Sequence, residues 1–117
     1  MAIFPLFEHA TGRYMRNVTG DSFSRAIEAE VKAARSLDKA DLRLLGRYGD
    51  PTELNLAGAT MTNVKMDGCN LMGANLSKAN VTGASIKAAE FTMANIKGWT
   101  KTSSDTTGTN FMECQGT

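Results

Sequence analysis

Residues 54–98 read LNLAG ATMTN VKMDG CNLMG ANLSK ANVTG ASIKA AEFTM ANIKG, which is one five-residue unit written nine times. The third position of the unit always holds a large apolar residue: Leu56, Met61, Met66, Leu71, Leu76, Val81, Ile86, Phe91 and Ile96. From the second unit onward, the first position holds a smaller apolar residue: Ala59, Val64, Cys69, Ala74, Ala79, Ala84, Ala89 and Ala94. A period of five matches neither the helical period of 3.6 nor the strand period of 2, so neither element would keep both positions buried. The chain must therefore turn a corner in every unit.

The remaining positions of the unit suit those corners, because Gly is frequent at the fifth position and Asn at the second, and both tolerate turn conformations. The sequence Ala74-Asn75-Leu76 resembles the A-(D/N)-L-x-x motif of the pentapeptide-repeat family. The resemblance implies an all-β solenoid, namely a right-handed quadrilateral β-helix with four units in each coil. It also implies that the third-position residue points into the core and that the first-position residue lies inward at a corner.

Coil stacking predicts which residues are neighbours. The frame runs from Leu54 to Glu113 as twelve units, which make three coils of four units. Residues 20 apart should then lie above one another, so we expect Phe91 to contact Phe111. Stacked Asn side chains strengthen paired strands, and the sequence predicts such a ladder at Asn55, Asn75 and Asn95.

The unit 99–103 breaks the pattern at both inward positions. Trp99 is too large for the space that Ala79 occupies one coil earlier, and an inward Lys101 would bury an unpaired charge. We therefore expect the chain to bulge there.

Residues 1–36 precede the repeats and are predicted to form a separate N-terminal segment. Arg13–Val18 followed by a turn predicts a short strand. Ser22 to Ser36 predicts an amphipathic helix, capped by Asp21 or Ser22 and supported by a Glu28–Lys32 pair. The apolar face of this helix consists of Phe23, Ile27, Val31 and Ala34. We expect the helix to cap the open first coil, as terminal repeats require.

Residues 37–117 are predicted to form the β-helix itself. Leu37 and Leu42 already fit the five-residue period, whereas the stretch 45–53, with two Gly and one Pro, interrupts it. The sequence therefore predicts a partial coil, a loop and then the three full coils, all within one structural unit of 117 residues.

Composition excludes several classes of protein. Thirteen Lys and Arg balance twelve Asp and Glu, so the whole chain offers no general field for nucleic acid or an anionic membrane. The sequence has no apolar run long enough to span a bilayer and no secretory signal, which predicts a cytoplasmic protein. Cys69 takes the place of an Ala in the repeat, so we expect it and Cys114 to remain thiols.

Catalytic residues are scarce. His9 is the only histidine, so neither a His-based triad nor a His-rich metal site can be assembled. No phosphate-binding loop of the G-x-x-x-x-G-K-[ST] type occurs. We therefore expect no enzyme activity, no cofactor, no metal and no small-molecule substrate.

One face of the predicted rod carries Met72, Met93 and Met112 at outward positions of three successive coils. An exposed, flexible apolar stripe is typical of a partner surface. The sequence therefore predicts a non-catalytic protein-interaction scaffold that binds a host or viral protein through a β-helix face. It also predicts that two copies of the chain could form a homodimer through the methionines. The order of strand, helix and repeats also resembles pentapeptide-repeat proteins of phages and prophages.

Two alternative functions remain. Some pentapeptide-repeat proteins are DNA mimics that protect topoisomerases from inhibitors or block them. The first alternative is therefore a DNA mimic that inhibits a topoisomerase, a restriction enzyme or a CRISPR nuclease. A mimic needs strongly negative flanks, whereas residues 51–117 carry five acids and five lysines. Thr60, Thr62, Thr100 and Thr102 form Thr-x-Thr pairs that suggest an ice-binding face, although Asn80 interrupts one of its columns.

The repeat frame leads to a direct test. Ile86→Asp should unfold the chain, because a central inward position has neither water nor a counter-charge for a carboxylate. Circular dichroism and thermal melting would measure the effect. A variant with the parent's spectrum and melting temperature would show that the assigned frame is wrong.

Overall fold

The computed structural model of this protein describes residues 1–47 and 49–116. Its regular elements are the strands β1 (Ala2–Phe7) and β2 (Tyr14–Gly20) and the helix α1 (Phe23–Lys32). Tyr48, in the predicted loop 45–53, and Thr117, in the predicted β-helix, lie outside the described residues. Within the described part of the chain, no helix has the length and apolar character that crossing a bilayer requires.

β1 and β2 form an antiparallel hairpin whose register runs from Ala2 opposite Gly20 to Phe7 opposite Tyr14. Leu6 and Val18 are buried, and they fix the inner face of the hairpin against the core. The predicted strand near Arg13–Val18 corresponds to β2. Sequence analysis missed β1 because Pro5 disfavours a strand interior, whereas an edge strand tolerates it.

The helix α1 begins where predicted, since the Ser22 hydroxyl accepts the backbone N–H of Arg25 at 3.1 Å. It ends at Lys32, four residues before the predicted end at Ser36. The predicted Glu28–Lys32 pair is wrong. Glu28 instead pairs with Arg25 at 2.9 Å, and its second oxygen accepts the backbone N–H of Asn55 at 2.7 Å. This second bond joins α1 to the first full coil.

From residue 33 onward, the described chain is held by isolated bridges rather than by further extended strands. The parallel bridges between full coils join residues 20 apart: Asn55–Asn75–Asn95–Gln115, Thr60–Asn80–Thr100, Lys65–Ser85–Asp105 and Asn70–Glu90–Asn110. Each bridge has two backbone bonds, as when Leu56 donates to Asn75 at 2.7 Å and Asn75 donates to Leu54 at 2.8 Å. Four units therefore make one coil, and the predicted stacking is confirmed.

A partial coil precedes the full ones, as the sequence predicts. The backbone N–H of Leu37 donates to the carbonyl of Thr60, and that of Leu42 donates to Lys65, in both cases 23 residues later in the chain. The N–H of Asn70 donates to the carbonyl of Leu45, 25 residues earlier. These separations exceed 20 because the stretch after Leu45 adds extra residues before the first full coil begins. The partial coil therefore pairs with the first full coil in the same way as the full coils pair with each other, but a longer segment connects the two.

The core follows the five-residue period. The large third-position residues and the smaller first-position residues of units 54–98 are all at most 3% exposed. Cys69 and Cys114 are free thiols, and burial raises the pKa of Cys69 to about 12. The predicted core is therefore confirmed.

The second-position Asn residues have a local role. Their side-chain oxygens accept the backbone N–H two residues later: Asn55 from Ala57, Asn70 from Met72, Asn75 from Ser77, Asn80 from Thr82, Asn95 from Lys97, and Asn110 from Met112. The backbone bridges stack Asn55, Asn75 and Asn95, but the predicted side-chain ladder is wrong, because these amide oxygens bind within their own coil. Asn is favoured here because its short side chain closes this turn.

The fifth position has a positive φ in every full-coil unit. Six units place glycine there, with φ between 69° and 74°: Gly58, Gly68, Gly73, Gly83, Gly98 and Gly108. The others place a side chain there, with φ between 56° and 61°: Asn63, Lys78, Ala88, Met93, Ser103 and Glu113. A left-handed conformation costs an L-residue about 1 kcal/mol, so the frequent glycines follow from the backbone.

The bulge predicted at the unit 99–103 is wrong. Thr100 keeps its bridge to Asn80 and donates to Ala79 at 2.8 Å. Trp99 belongs to the last coil, and its ring packs at the end of the core. The ring centroid of Trp99 lies 6.0 Å from that of Phe91 and 6.1 Å from that of Phe111. The Phe91–Phe111 contact is confirmed, with ring centroids 5.8 Å apart.

A buried carboxylate ties the N-terminal elements together. Glu30 of α1 is 4% exposed and accepts hydrogen bonds from Arg16 of β2 and from Arg35, each at 2.7 Å. Arg16 also donates to the carbonyl of Ser36 at 2.8 Å. Burial raises the pKa of Glu30, but the bonds from the two arginines outweigh it, so the pKa is lowered overall.

The fifth-position geometry predicts opposite effects for two reciprocal changes. Ala88→Gly should stabilise the protein by about 0.5 kcal/mol, because it removes backbone strain that exceeds the added flexibility of the unfolded chain. Gly68→Ala should destabilise it by about 1 kcal/mol, since no atom lies near the new Cβ and only φ matters. Urea unfolding would measure both. Changes of the same sign would contradict this explanation.

Glu30→Gln should destabilise the protein by about 1–2 kcal/mol at neutral pH, because two arginines lose a charged partner. Since the folded pKa is lowered, this stabilisation is complete above the unfolded pKa and disappears as pH falls through the folded value. The wild-type and Gln proteins should therefore converge in acid, measured by urea unfolding between pH 7 and 3. Exposed Glu113→Gln is the control and should change stability by less than about 0.5 kcal/mol.

Candidate interaction surface

The methionine face consists of the outward residues of units 69–73, 89–93 and 109–113. The structure places Met72, Met93 and Met112 on this face with 37%, 49% and 63% of their surface exposed. Met93 donates its backbone N–H to the Met112 carbonyl at 2.9 Å, which joins the second and third coils directly. The predicted residues therefore lie on one side of the stack, and their exposure increases toward the last coil.

The three methionines do not form one straight column. Met72 and Met112 occupy fourth positions with Thr92 between them, whereas Met93 occupies a fifth position between Gly73 and Glu113. The apolar surface is consequently staggered across two neighbouring columns.

Met93 adopts φ = 61°, a conformation in which glycine would avoid the strain. The position also leaves this large apolar side chain half exposed to water. Five other units also place a non-glycine residue at this position, so the exposure of an apolar side chain, rather than its φ, distinguishes Met93. Its departure from Gly at the fifth position is already visible in the sequence.

Acidic residues accompany the methionines. Glu90 lies between Asn70 and Asn110 in the second-position column, and Glu113 is the fifth residue of the last unit. Glu53 precedes the first full coil and packs its side chain against Gly73. The three units of this face contain no Lys or Arg.

Glu90 is fixed by hydrogen bonds within the face. Its carboxylate accepts the Thr92 backbone N–H at 3.1 Å and the Thr92 hydroxyl, and its second oxygen accepts the Asn110 amide at 3.5 Å. The Thr92 hydroxyl and backbone N–H lower the pKa of Glu90, so its charge is present at neutral pH. In the described part of the chain, neither Glu90 nor Glu113 forms an ion pair.

The other faces carry different charge. The first face consists of units 54–58, 74–78 and 94–98, the second of units 59–63, 79–83 and 99–103, and the third of units 64–68, 84–88 and 104–108. Lys78 and Lys97 belong to the first face, and the exposed Lys101 to the second. On the third face the charges pair with each other, with Lys65–Asp67 at 3.2 Å and Lys87–Asp105 at 3.7 Å. The balance of acids and lysines seen in the sequence therefore conceals a separation by face, which requires the coil frame to detect.

The second face places its threonines in two columns. Asn80 interrupts the column of Thr60 and Thr100, and its oxygen accepts the hydroxyl hydrogen of Thr82. The face is thus a short mixed array.

Two open grooves lie near the N-terminal elements, and sequence analysis predicted neither. One, of about 430 Å³, lies between the hairpin and the partial coil and is lined by Phe4, Phe7, Phe23, Leu44, Arg43 and Arg47, among others. The other, of about 610 Å³, lies between α1 and the first unit beside Glu28 and Asn55. Among residues 1–47 and 49–116, no group of three His, Cys, Asp or Glu side chains is placed to hold a metal ion.

The family model of pentapeptide repeats matches residues 55–92 in eight copies. This region consists of pentapeptide repeats. Pentapeptide repeats imply a β-helix solenoid, and the bridges between residues 20 apart agree with that architecture. The pentapeptide match includes Met72 and ends one residue before Met93. A comparison with curated proteins found no match.

Proposed function

We propose that this protein is a non-catalytic, cytoplasmic interaction scaffold that binds a partner protein through the methionine face. The observation that carries the proposal is the exposure of Met72, Met93 and Met112 on one side of three successive coils. Pentapeptide-repeat proteins are often interaction or scaffold proteins, which supports this assignment.

The scaffold that we propose is the right-handed quadrilateral β-helix of the family, with α1 and the hairpin as its N-terminal cap. Four units between bridged residues support four sides per coil. Bonds from Asn55 to Glu28 and from Gly46 to the Ser24 hydroxyl, at 2.7 and 2.8 Å, support the capping role. A face built on such paired coils is preformed, so a partner would bind it with little loss of chain entropy.

The proposed partner is a host or viral protein. This proposal rests on the resemblance of the strand, helix and repeat order to phage and prophage proteins, and the hairpin followed by α1 fits that order. A protein partner also suits an exposed apolar surface, because small molecules generally bind in concave pockets.

A DNA mimic that inhibits a DNA-processing enzyme is the second candidate. Glu53, Glu90 and Glu113 on one face favour it, since a mimic presents negative charge. The ion pairs of the third face and the lysines of the first face weaken it, because a mimic needs negative charge along both flanks. The interaction scaffold is therefore the better-supported function.

Affinity capture from the native host, followed by calorimetry with the purified partner, tests the proposal. Met93→Ser combined with Met112→Ser should weaken binding at least about tenfold, because exposed apolar anchors dominate interface energies. Lys78→Gln combined with Lys97→Gln on the first face is the control and should change affinity less than about twofold. Equal effects of the two pairs would show that the methionine face is not the binding surface.

A further inference from the structure

The methionine face is both apolar and negatively charged. Three columns run across its coils: Asn70–Glu90–Asn110, Met72–Thr92–Met112 and Gly73–Met93–Glu113. Glu53 extends the third column below Gly73. The column of Met72 and Met112 therefore has a carboxylate-bearing column on each side, and Met93 shares one of these columns with Glu113.

No cation within the three units offsets these carboxylates. Glu90 is held by Thr92 and Asn110, which are neutral donors, so its charge remains available to a partner. Arg47 lies near Cys69 at the N-terminal end of the face and also lines the groove beside Phe4 and Leu44. The units that contain Met93 and Met112 themselves have no Lys or Arg.

This combination selects a type of partner. Apolar side chains favour a partner with its own exposed apolar residues, and carboxylates at the edges favour cations around them. A second copy of this protein fits poorly, because a symmetric contact through this face would bring together two surfaces that carry carboxylates and, within these three units, no cation.

The spacing of the coils suits a helix. Neighbouring coils are about 4.8 Å apart and successive helical turns about 5.4 Å apart, so each turn of a helix along the stack would meet one coil. Over three coils the difference accumulates to only about 1 Å. Methionine side chains are flexible enough to absorb that difference.

Building on the proposed scaffold function, we propose that the methionine face binds a cationic amphipathic helix of its partner. The apolar stripe of that helix would contact Met72, Met93 and Met112. Its flanking Lys or Arg residues would pair with Glu90 and Glu113.

Three synthetic helical peptides of about three to four turns would test this proposal. They share one leucine stripe and carry Lys, Gln or Glu at the polar positions. Their binding to the full-length protein is measured by calorimetry at low and high salt. The Lys peptide should bind at least about tenfold more tightly than the Gln peptide, and high salt should reduce this preference.

Two charge-matched variants locate the contact. Glu90→Gln combined with Glu113→Gln should weaken the Lys peptide about tenfold and leave the Gln peptide unchanged. Asp67→Asn combined with Asp105→Asn removes the same charge from the third face and should change affinity less than about twofold. Equal loss in both variants would indicate a general charge effect and would overturn the proposal.

The remaining outcomes separate this inference from the scaffold function. If the Lys and Gln peptides bind equally and Met93→Ser with Met112→Ser weakens both, the scaffold function stands and the cationic preference is wrong. If no peptide binds, or if Lys-peptide binding survives both the Met and Glu variants, the helix proposal is overturned. A wild-type dimer in light scattering that Met93→Lys with Met112→Lys disperses would identify a second copy as the occupant instead.

Discussion

The repeat region depends on one backbone pairing, in which the third-position N–H of each unit within residues 54–98 donates to the carbonyl 19 residues later. Leu56 to Asn75, Met66 to Ser85 and Leu76 to Asn95, all at 2.7 Å, are examples. Because only isolated residues pair, the chain must leave the bridge, turn and enter the next bridge within five residues. The positive φ of the fifth position and the Asn side-chain bond of the second position provide that turn. The five-residue period is thus a consequence of the backbone bridges between coils. Because every unit repeats the same turn, the first- and third-position side chains of the units within residues 54–98 all point into the core.

This dependence explains why the sequence predicted the repeat region well. A period of five leaves only one frame in which the large apolar residues all face inward, so burial and stacking followed without knowledge of contacts. Predictions that concerned single side chains were less successful. Trp99 did not force a bulge, because its position at the end of the core gives the ring space beside Phe91 and Phe111. The Asn oxygens bind backbone within their own coil, a choice that spacing alone does not reveal.

The N-terminal elements were harder to predict because no repeat constrains them. β1 contains Pro5 and becomes a strand through its pairing with β2. Glu30 is buried among two arginines that lie 14 residues before and 5 residues after it. At the candidate surface, the sequence identified the three methionines from their outward positions. The accompanying acids were missed because acids and lysines were counted over residues 51–117 together and not for the methionine face alone.

The two ends of the repeat stack differ in hydrogen bonding, and this difference bears on self-association. Across the described residues, the last coil leaves the N–H groups of Lys101, Thr106 and Phe111 without a partner. The fifth-position N–H groups of the same units are also unpaired. In the lower coils, the groups of each unit that bond to the following coil are these two N–H groups and a single carbonyl, at the first position. Such an edge has more donors than acceptors, so two identical edges facing each other would oppose donor to donor. The last coil is therefore complementary to an acceptor-rich edge rather than to a copy of itself. This asymmetry disfavours a symmetric contact between two such edges, so it bears on self-association through this edge and not on the partner of the methionine face.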